Sequence, residues 1–244
     1  MIDNSQTPLL PQNPKFSHVL NAWYDKNKAI VMFFVDLALN VLIIGAMVFF
    51  IRIFLFSPFQ VYGPSMCDTF NFTDGHCKSD YGDYIIVNKF DYLHFLNFKI
   101  GEPKRGDVIV FHPPRNSNEF FIKRVIGMPG ETVILKDGGV FIKNQQNPAG
   151  FKLDEPYLNS TNQGNTRPLL ENFTTFKVPE GGYFVLGDNR AVSSDSRICF
   201  REGLSSTDCT DPTNTPFITI SNIEGRAWIL LWPFTKLGFV KNPL

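Results

Sequence analysis

A serine and a lysine are the residues whose types and surroundings could do chemistry in this sequence. Ser65 lies between a proline and a methionine in VYGPSMCDTF, residues 61–70. A serine hydroxyl is a poor nucleophile until a base removes its proton, so a base must be found elsewhere in the chain. The histidines have no sequence setting typical of a catalytic triad; they are His18, His76, His94 and His112.

Lys123 has the setting of a desolvated base. It lies in FFIKRVIG, residues 120–127, where apolar residues flank it in a short strand pattern. A lysine can act as a base near pH 7 only if burial or neighbouring charge lowers its pKa, and this lysine is the best placed for burial. Taken singly, each residue also has an ordinary interpretation: a serine after Gly-Pro is usually a turn residue, and a strand lysine usually points to water.

A long apolar segment precedes Ser65 and could hold it at a membrane. Between Ala29 and Phe56 the sequence is interrupted only by Asp36, Asn40 and Arg52. As a helix this segment would rise about 42 Å, enough to cross a hydrocarbon core of about 30 Å. A buried core helix would show a polar stripe, and a cleaved signal peptide would be shorter and followed by small residues. The segment 29–56 is therefore predicted to be a transmembrane helix.

The distribution of basic residues predicts the orientation of this helix. Three lysines precede the segment closely, whereas Arg52 alone lies near its other end. By the positive-inside rule, residues 1–28 form a cytoplasmic tail and residues 57–244 lie on the external or periplasmic side. The chain is thus expected to be a single-pass protein of the cell (inner) membrane, with the lipid bilayer as a partner.

The part beyond the membrane segment is predicted to be an antiparallel β domain, so the fold class is mainly β. Short apolar segments bounded by Gly, Pro, Asp or Asn recur from residue 83 to residue 234; they are DYIIVNKF, GDVIVFHPP, FFIKRVIGMPGE, TVILKDGGVFIKN, GGYFVLGDNR and GRAWILLWPF. KDGG at 136–139 is typical of a hairpin turn. Residues 144–176, rich in Asn, Thr, Gly and Pro, are predicted to be a loop-rich excursion.

The four cysteines all fall in the external part, where disulfides can form. They are Cys67, Cys77, Cys199 and Cys209. Three pairings are possible, and the local pairs 67–77 and 199–209 are the simplest of them. A zinc site is less favoured because the chain has no C-x-x-C pair.

Charge and chemistry limit the classes of ligand. The formal net charge is zero, without a clustered basic face, so no nucleic-acid partner is expected. A Ser/Lys pair with backbone donors is sufficient for acyl transfer and hydrolysis, so no metal or organic cofactor is expected either.

Four motifs, taken together, resemble the motif boxes of the bacterial type I signal peptidases. They are GPSMCDTF, RGDVIVF, FIKRVIGMPGE and GDNRAVSSDSR, and they follow the apolar segment in this order. The resemblance extends over about residues 55–240. It implies a membrane-bound serine endopeptidase with a signal-peptidase-type β domain, which cleaves signal peptides from exported preproteins after Ala-x-Ala-like sites.

The resemblance also implies roles for individual residues. Ser65 corresponds to the nucleophile, and its backbone N–H would be an oxyanion donor. Lys123 corresponds to the neutral general base, and Ser193 to the serine whose hydroxyl helps to orient that lysine. A network of charged and polar residues would support the site: Arg124, Asp188, Asn189, Arg190, Asp195 and Arg197.

Substrate binding is expected to follow the same family pattern. The substrate would lie as an extended strand between Phe59–Gly63 and Glu119–Ile122. Shallow pockets for small side chains at the first and third positions before the cut would be lined by apolar residues: Phe59, Val61, Met66, Phe121 and Ile122.

Several positions depart from the family pattern. A proline expected three residues after the nucleophile is Asp68, Ala191-Val192 replaces an acidic residue and an asparagine, and Gly63 replaces a serine that is a second oxyanion donor in some members. A carboxylate near Lys123 would favour the charged amine, so Asp68 is expected to point away. Two alternatives therefore stay open: a maturation peptidase for one secreted or pilin-like substrate, and a catalytically silent, membrane-anchored domain that binds peptides.

Overall fold

The computed structural model describes residues 14–73, 75–78, 82–92, 94–95, 98–114, 116–169, 173–201, 209 and 215–244. The chain divides into two compact units, one ending at Ile51 and the other Arg52–Leu244. Residues 1–13 of the predicted tail lie outside the described residues.

One long helix, α1, extends over Pro14–Phe54. Within Asn21–Phe54 the most apolar window of 18 residues has a mean hydropathy of 2.4, and none of that window is buried within the protein. Apolar side chains are exposed all around α1, which is the pattern of a helix that contacts lipid rather than a protein core. By length and composition α1 can cross a membrane.

The helix boundaries differ from the predicted segment 29–56. The helix begins at Pro14, so residues 14–28 of the predicted tail are helical, and it ends at Phe54 rather than at Phe56. Phe56 instead begins the first strand. The cause is Pro58, because the residue before a proline is disfavoured in the α region and the chain must become extended there.

The second unit is built of strands and short 3-10 helices. Among the described residues, the strands are β1 Phe56–Gln60, β2 Phe72–Thr73, β3 His76–Cys77, β4 Tyr84–Asn88, β5 His94–Phe95, β6 Phe98–Lys99, β7 Val108–Phe111, β8 Phe121–Gly127, β9 Thr132–Lys136, β10 Gly139–Lys143, β11 Phe151–Lys152, β12 Thr175–Lys177, β13 Gly182–Leu186, β14 Phe217–Thr219, β15 Ile223–Trp232 and β16 Gly238–Phe239. The 3-10 helices are Phe90–Tyr92, Ser196–Ile198, Ile220–Asn222 and Phe234–Lys236.

The strands form two main sheets. The larger has the order β1-β4-β15-β7-β8-β13-β14, with β16 paired to β15, and the smaller has the order β11-β10-β9-β12. Every pairing in these sheets is antiparallel, which confirms the predicted mainly β fold. The predicted turn at KDGG joins β9 to β10, with Asp137 and Gly138 at φ of 51° and 72°. Positive φ at both central residues is what this hairpin turn requires.

Strand β8 is the structural centre of the second unit. It lies between β7 and β13, and its residues Ile122, Val125 and Ile126 each belong to a different hydrophobic cluster. Both faces of β8 are therefore covered, so its polar residues are buried as well as its apolar ones.

The excursion 144–176 contains strand β11, and β12 begins near its end. Much of the rest is ordered by turns, including one in which the backbone N–H of Asn162 donates to the carbonyl of Asn159 at 3.1 Å. The cysteines form the local pairs, Cys67–Cys77 and Cys199–Cys209. The first disulfide joins the segment just after Ser65 to the β2–β3 hairpin.

Candidate active site

The structure brings Ser65 and Lys123 together. Ser65 lies in the turn that follows β1, and Lys123 lies on β8. The Lys123 Nζ donates to Ser65 Oγ at 2.8 Å and to the carbonyl oxygen of Ile122 at 2.9 Å. When the amine is neutral, the same 2.8 Å separation allows its lone pair to accept the serine proton.

Burial lowers the pKa of Lys123. The side chain is only 4% exposed, and removal from water disfavours its charged form. The negative charges of Asp195 and Asp188 oppose this effect, and the resulting pKa is about 8, against an ordinary value of 10.5. A substantial fraction of the amine is therefore neutral at slightly alkaline pH, as a general base requires.

A tight turn presents Ser65 to the groove. The backbone N–H of Cys67 donates to the Pro64 carbonyl at 3.1 Å, and that of Phe70 donates to the Met66 carbonyl at 2.8 Å. Within the described part of the chain, the Ser65 N–H donates to no acceptor. This N–H therefore remains available as a donor to an atom bound in the groove.

The GDNR segment lies directly against Ser65. The backbone N–H of Asn189 donates to the Ser65 carbonyl at 3.0 Å. A side chain at Gly187 would collide with the Ser65 carbonyl and with Ser193. Glycine at position 187 thus allows a close approach that no other residue would permit.

Ser193 makes no hydrogen bond to Lys123 among the described residues, so its role in orienting that lysine stays a prediction. Its Oγ is the buried side-chain polar atom that has no hydrogen-bond partner among the described residues. It lies close to Asp195 without the geometry of a hydrogen bond. The Lys123 amine is instead oriented by the Ile122 carbonyl, its immediate neighbour on β8.

Buried ion pairs surround the site. Arg124 binds Asp188 through two hydrogen bonds, of 2.9 and 2.7 Å, and both side chains are essentially inaccessible. Arg197 binds Asp195 in the same way, with two contacts of 2.9 Å. Burial would raise the pKa of Asp195, but the charge and hydrogen bonds of Arg197 hold it below its ordinary value. The Asp195 carboxylate is therefore charged at neutral pH, and both ion pairs hold segments around the site.

Sequence reasoning missed the partners of Arg190 in the excursion. The guanidinium binds Glu155 at 2.5 Å, and it also donates to Tyr157 and Thr166. Thr69, another missed residue, donates from its hydroxyl to Asp188 at 2.5 Å. The motif LDEPYL contains Glu155 and Tyr157, and it was the signal that could have identified them.

An open groove of about 720 Å³ leads to Ser65 and Lys123. Four of the five predicted pocket residues line it, namely Phe59, Val61, Phe121 and Ile122. Met66 does not, because its side chain points inward and packs in the cluster that contains Phe70. The groove has further lining residues outside the predicted segments, among them Leu169, Val192, Ile198 and Arg201.

The two segments predicted to flank a substrate both lie at this groove. Every residue from Phe59 to Gly63 lines it, as does every residue from Phe120 to Lys123. Glu119, at the predicted edge of the second segment, does not. The arrangement leaves a channel with two lining segments into which an extended peptide can fit.

Asp68 is engaged away from the amine. Its carboxylate accepts hydrogen bonds from Asn159 and Asn162 in the excursion. Partial burial raises the pKa of this carboxyl, against the opposing effect of those two asparagines. The carboxylates that act on the Lys123 pKa are Asp195 and Asp188.

No group of three or more His, Cys, Asp or Glu side chains among the described residues could hold a metal ion.

The fold and site together define a class, a serine peptidase with a lysine beside its serine, carried on an antiparallel β unit that follows a long apolar helix.

Comparison with known proteins identifies the family within this class. Residues 34–232 match the family model described as signal peptidase, peptidase S26. The chain is 38% identical over 194 residues to signal peptidase I T of Bacillus subtilis (strain 168), covering 78% of this chain and 81% of that one. It is 33% identical over 196 residues to signal peptidase I of Bacillus caldolyticus, covering 78% of this chain and 86% of the relative.

A solved signal peptidase I from Enterococcus faecalis V583 is 33% identical and covers 51% of this chain and 96% of its own, with a TM-score of 0.35. The sequence matches alone carry the assignment. The chain belongs to the signal peptidase family S26 and is a serine peptidase of that family.

Proposed function

We propose that this protein is a membrane-bound endopeptidase that removes N-terminal signal peptides from exported preproteins, with Ser65 as nucleophile and Lys123 as general base. One observation carries the proposal: the 2.8 Å contact between Ser65 Oγ and a buried lysine amine whose pKa is about 8. That pair lies in a groove open to an extended peptide. Family membership supports the activity, since the curated relatives are named signal peptidase I.

The reaction follows from this geometry. The neutral Lys123 amine takes the Ser65 proton as Oγ attacks the scissile carbonyl, and the Ser65 N–H stabilises the oxyanion that forms. The resulting ammonium returns the proton to the leaving amine, which departs as the N-terminus of the mature protein. Lys123 then takes a proton from water, the hydroxide attacks the acyl carbon, and the proton returns to Oγ as the signal peptide leaves.

Ser193 and the ion pairs have supporting roles in this proposal. The unpartnered Ser193 hydroxyl lies beside the approach of Gly187 to Ser65, and its role would be to help orient the Lys123 amine. The pairs Arg124–Asp188 and Arg197–Asp195 fix the segments on either side. Asn189 and Arg190 connect GDNR to the nucleophile turn and the excursion.

The membrane is the second expected partner. Helix α1 would anchor the protein with a cytoplasmic N-terminus, and the two disulfides agree with an oxidising external compartment for the second unit. Trp232, Phe234 and Phe239 are well exposed aromatic residues near the end of the chain, of a type suited to the interface of a bilayer. Digestion of the second unit by protease added to intact cells or spheroplasts tests this orientation.

The experiment for the proposed function is cleavage of a preprotein with an Ala-x-Ala site by the full chain in detergent. We expect one new N-terminus, directly after the second Ala. Replacing that Ala by Phe should lower kcat/KM by up to about 100-fold, since an overfilled pocket costs up to about 3 kcal/mol.

The matched control is a Phe at the middle position of the same site. Side chains alternate along an extended strand, so this residue points away from the pocket and should change kcat/KM less than about threefold. Equal loss at both positions would argue against binding as a strand. Cleavage of one native partner but of no general preprotein would favour a dedicated maturation peptidase, and binding without cleavage would favour a silent domain.

A further inference from the structure

Asp68 carries a carboxylate in the same turn as the proposed nucleophile, three residues after Ser65. Four contacts hold it to the excursion. The backbone N–H and the side-chain amide of Asn159 donate to it at 2.7 and 2.8 Å, and the Asn162 amide donates to both of its oxygens at 3.0 and 3.1 Å. The carboxylate thus connects the nucleophile turn to a loop about 90 positions away along the chain.

Asn162 extends this connection to the GDNR segment. Its side chain is buried, with 4% exposure, and uses both ends of its amide. The Nδ2 group donates to Asp68, while Oδ1 accepts from the backbone N–H of Arg190 at 2.9 Å. An asparagine can do this because its amide has a donor and an acceptor; an aspartate in its place would supply only acceptors.

The contacts form a closed ring that returns to the nucleophile. Arg190 is preceded by Asn189, whose backbone N–H donates to the carbonyl of Ser65 at 3.0 Å. The turn that carries Ser65 is thereby held at two points, at Ser65 itself and at Asp68. Both points are fixed to the same short GDNR segment, one directly and one through Asn162.

We infer that Asp68 is a positioning residue, whose carboxylate sets Ser65 relative to Lys123 through Asn162 and Arg190. The inference rests on the proposed function, since it concerns how that reaction is aligned. Asp68 touches no groove residue through these contacts and does not line the groove, so its effect is on the reacting pair and not on substrate binding. A displacement of about 1 Å at a reacting atom can cost about 100-fold in rate.

The test is the variant Asp68→Asn, measured by kcat and KM on the Ala-x-Ala preprotein. Its amide NH₂ would face the NH donors of Asn159 and Asn162, so the ring opens. We expect kcat to fall about tenfold with KM unchanged. The melting temperature of each variant, recorded in the same buffer, establishes that it is folded at the assay temperature.

The rescue variant separates positioning from general stability. Asn162→Asp in the Asp68→Asn background exchanges donor and acceptor, so the new amide can donate to the new carboxylate, which still accepts from Arg190. We expect kcat to return to within about threefold of wild type. The control is Asp91→Asn, which removes a partly exposed carboxylate from its ion pair with Arg226, outside the groove, and should leave kcat unchanged.

Two outcomes would overturn the inference. One is an Asp68→Asn variant with kcat within twofold of wild type, and the other is a fall in kcat that the double variant does not reverse. Acylation of Ser65 by a small activated ester can be followed by mass spectrometry of the intact protein. This readout does not depend on signal peptides. A wild type that is acylated but does not cut the preprotein would contradict the proposed function alone, and the variants would still be compared by acylation rate.

Discussion

Ser65→Ala and Lys123→Met are each expected to lower the rate of preprotein cleavage by at least about 10³-fold. The two substitutions should differ in their effect on the free energy of unfolding. Each variant removes one half of the reacting pair, and residues that act as a unit lose nearly all of their effect when either is removed. Lys123→Met should also stabilise the fold at pH 7. Methionine fills a similar volume without a buried ammonium, and a pKa depressed from 10.5 to about 8 corresponds to a cost of about 3 kcal/mol.

The stabilisation by Lys123→Met should depend on pH with a defined sign. Below pH 8 the amine is protonated in both states, and the folded state bears the full cost of the buried charge. Between pH 8 and 10.5 the unfolded state binds more protons, so wild-type stability rises with pH and the advantage of the variant disappears.

The pH dependence of this stabilisation can be measured by thermal unfolding of wild type, Ser65→Ala and Lys123→Met at pH 7 and pH 10. Ser65→Ala is the matched control, because it removes the same hydrogen bond without removing the amine. Cleavage by Lys123→Met near the wild-type rate would rule out the lysine base. If Lys123→Met were less stable than wild type at pH 7, the buried amine would not be destabilising.

Asp188→Ala is expected to destabilise the second unit by about 3–5 kcal/mol. It would leave the Arg124 guanidinium, which is 1% exposed, buried without its counter-charge. It would also remove the acceptor of the Thr69 hydroxyl, which lies in the nucleophile turn. Chemical denaturation of the full chain in detergent measures the change, with cleavage recorded alongside.

The control for Asp188→Ala is Asp137→Asn. Asp137 also faces a basic residue, Lys136, but both side chains are largely exposed, so the loss should be under about 1 kcal/mol. Asparagine tolerates the positive φ of this position, so the turn is kept. Equal effects of the two substitutions would contradict the view that burial makes the Arg124–Asp188 pair important.

Local pattern was sufficient to predict strands β4, β7, β8, β9, β10, β13 and β15 and the burial of Lys123. The apolar residues around Lys123 indicated a covered strand, and both faces of β8 are covered because its residues pack in three hydrophobic clusters. The Asp-Gly turn was likewise visible as a short-range feature, whereas the sequence suggested the local disulfides without choosing among three possible pairings. Such features depend on neighbouring residues, and the sequence displays them directly.

The direction of the Met66 side chain, in the turn that carries Ser65, could not be predicted from local pattern. Met66, one residue after Ser65, was expected in the groove because the resemblance to the signal peptidase family implied it. The chain forms a tight turn there, so Met66 points inward and is 1% exposed. The end of α1 was misplaced for a related reason, since the apolar pattern continues through Phe56 while Pro58 prevents the helix from doing so.

Contacts made by the excursion required the tertiary structure. Leu169 lines the groove and Glu155 pairs with Arg190, yet both lie in a segment whose composition indicated only a loop. Asp68 was recognised as a departure from the family pattern, but its partners Asn159 and Asn162 are about 90 positions away. No local pattern connects residues so far apart.

The most direct test of the central claim, that a neutral Lys123 activates Ser65, is the pH dependence of kcat/KM from pH 6 to 10. The substrate should have no titratable residue near the scissile bond. We predict a tenfold rise per pH unit at low pH, a midpoint near 8 and a plateau above it, because only the neutral amine can accept the serine proton. A profile already flat from pH 6, or one whose midpoint lies near 6.5 as for a histidine, would contradict the claim.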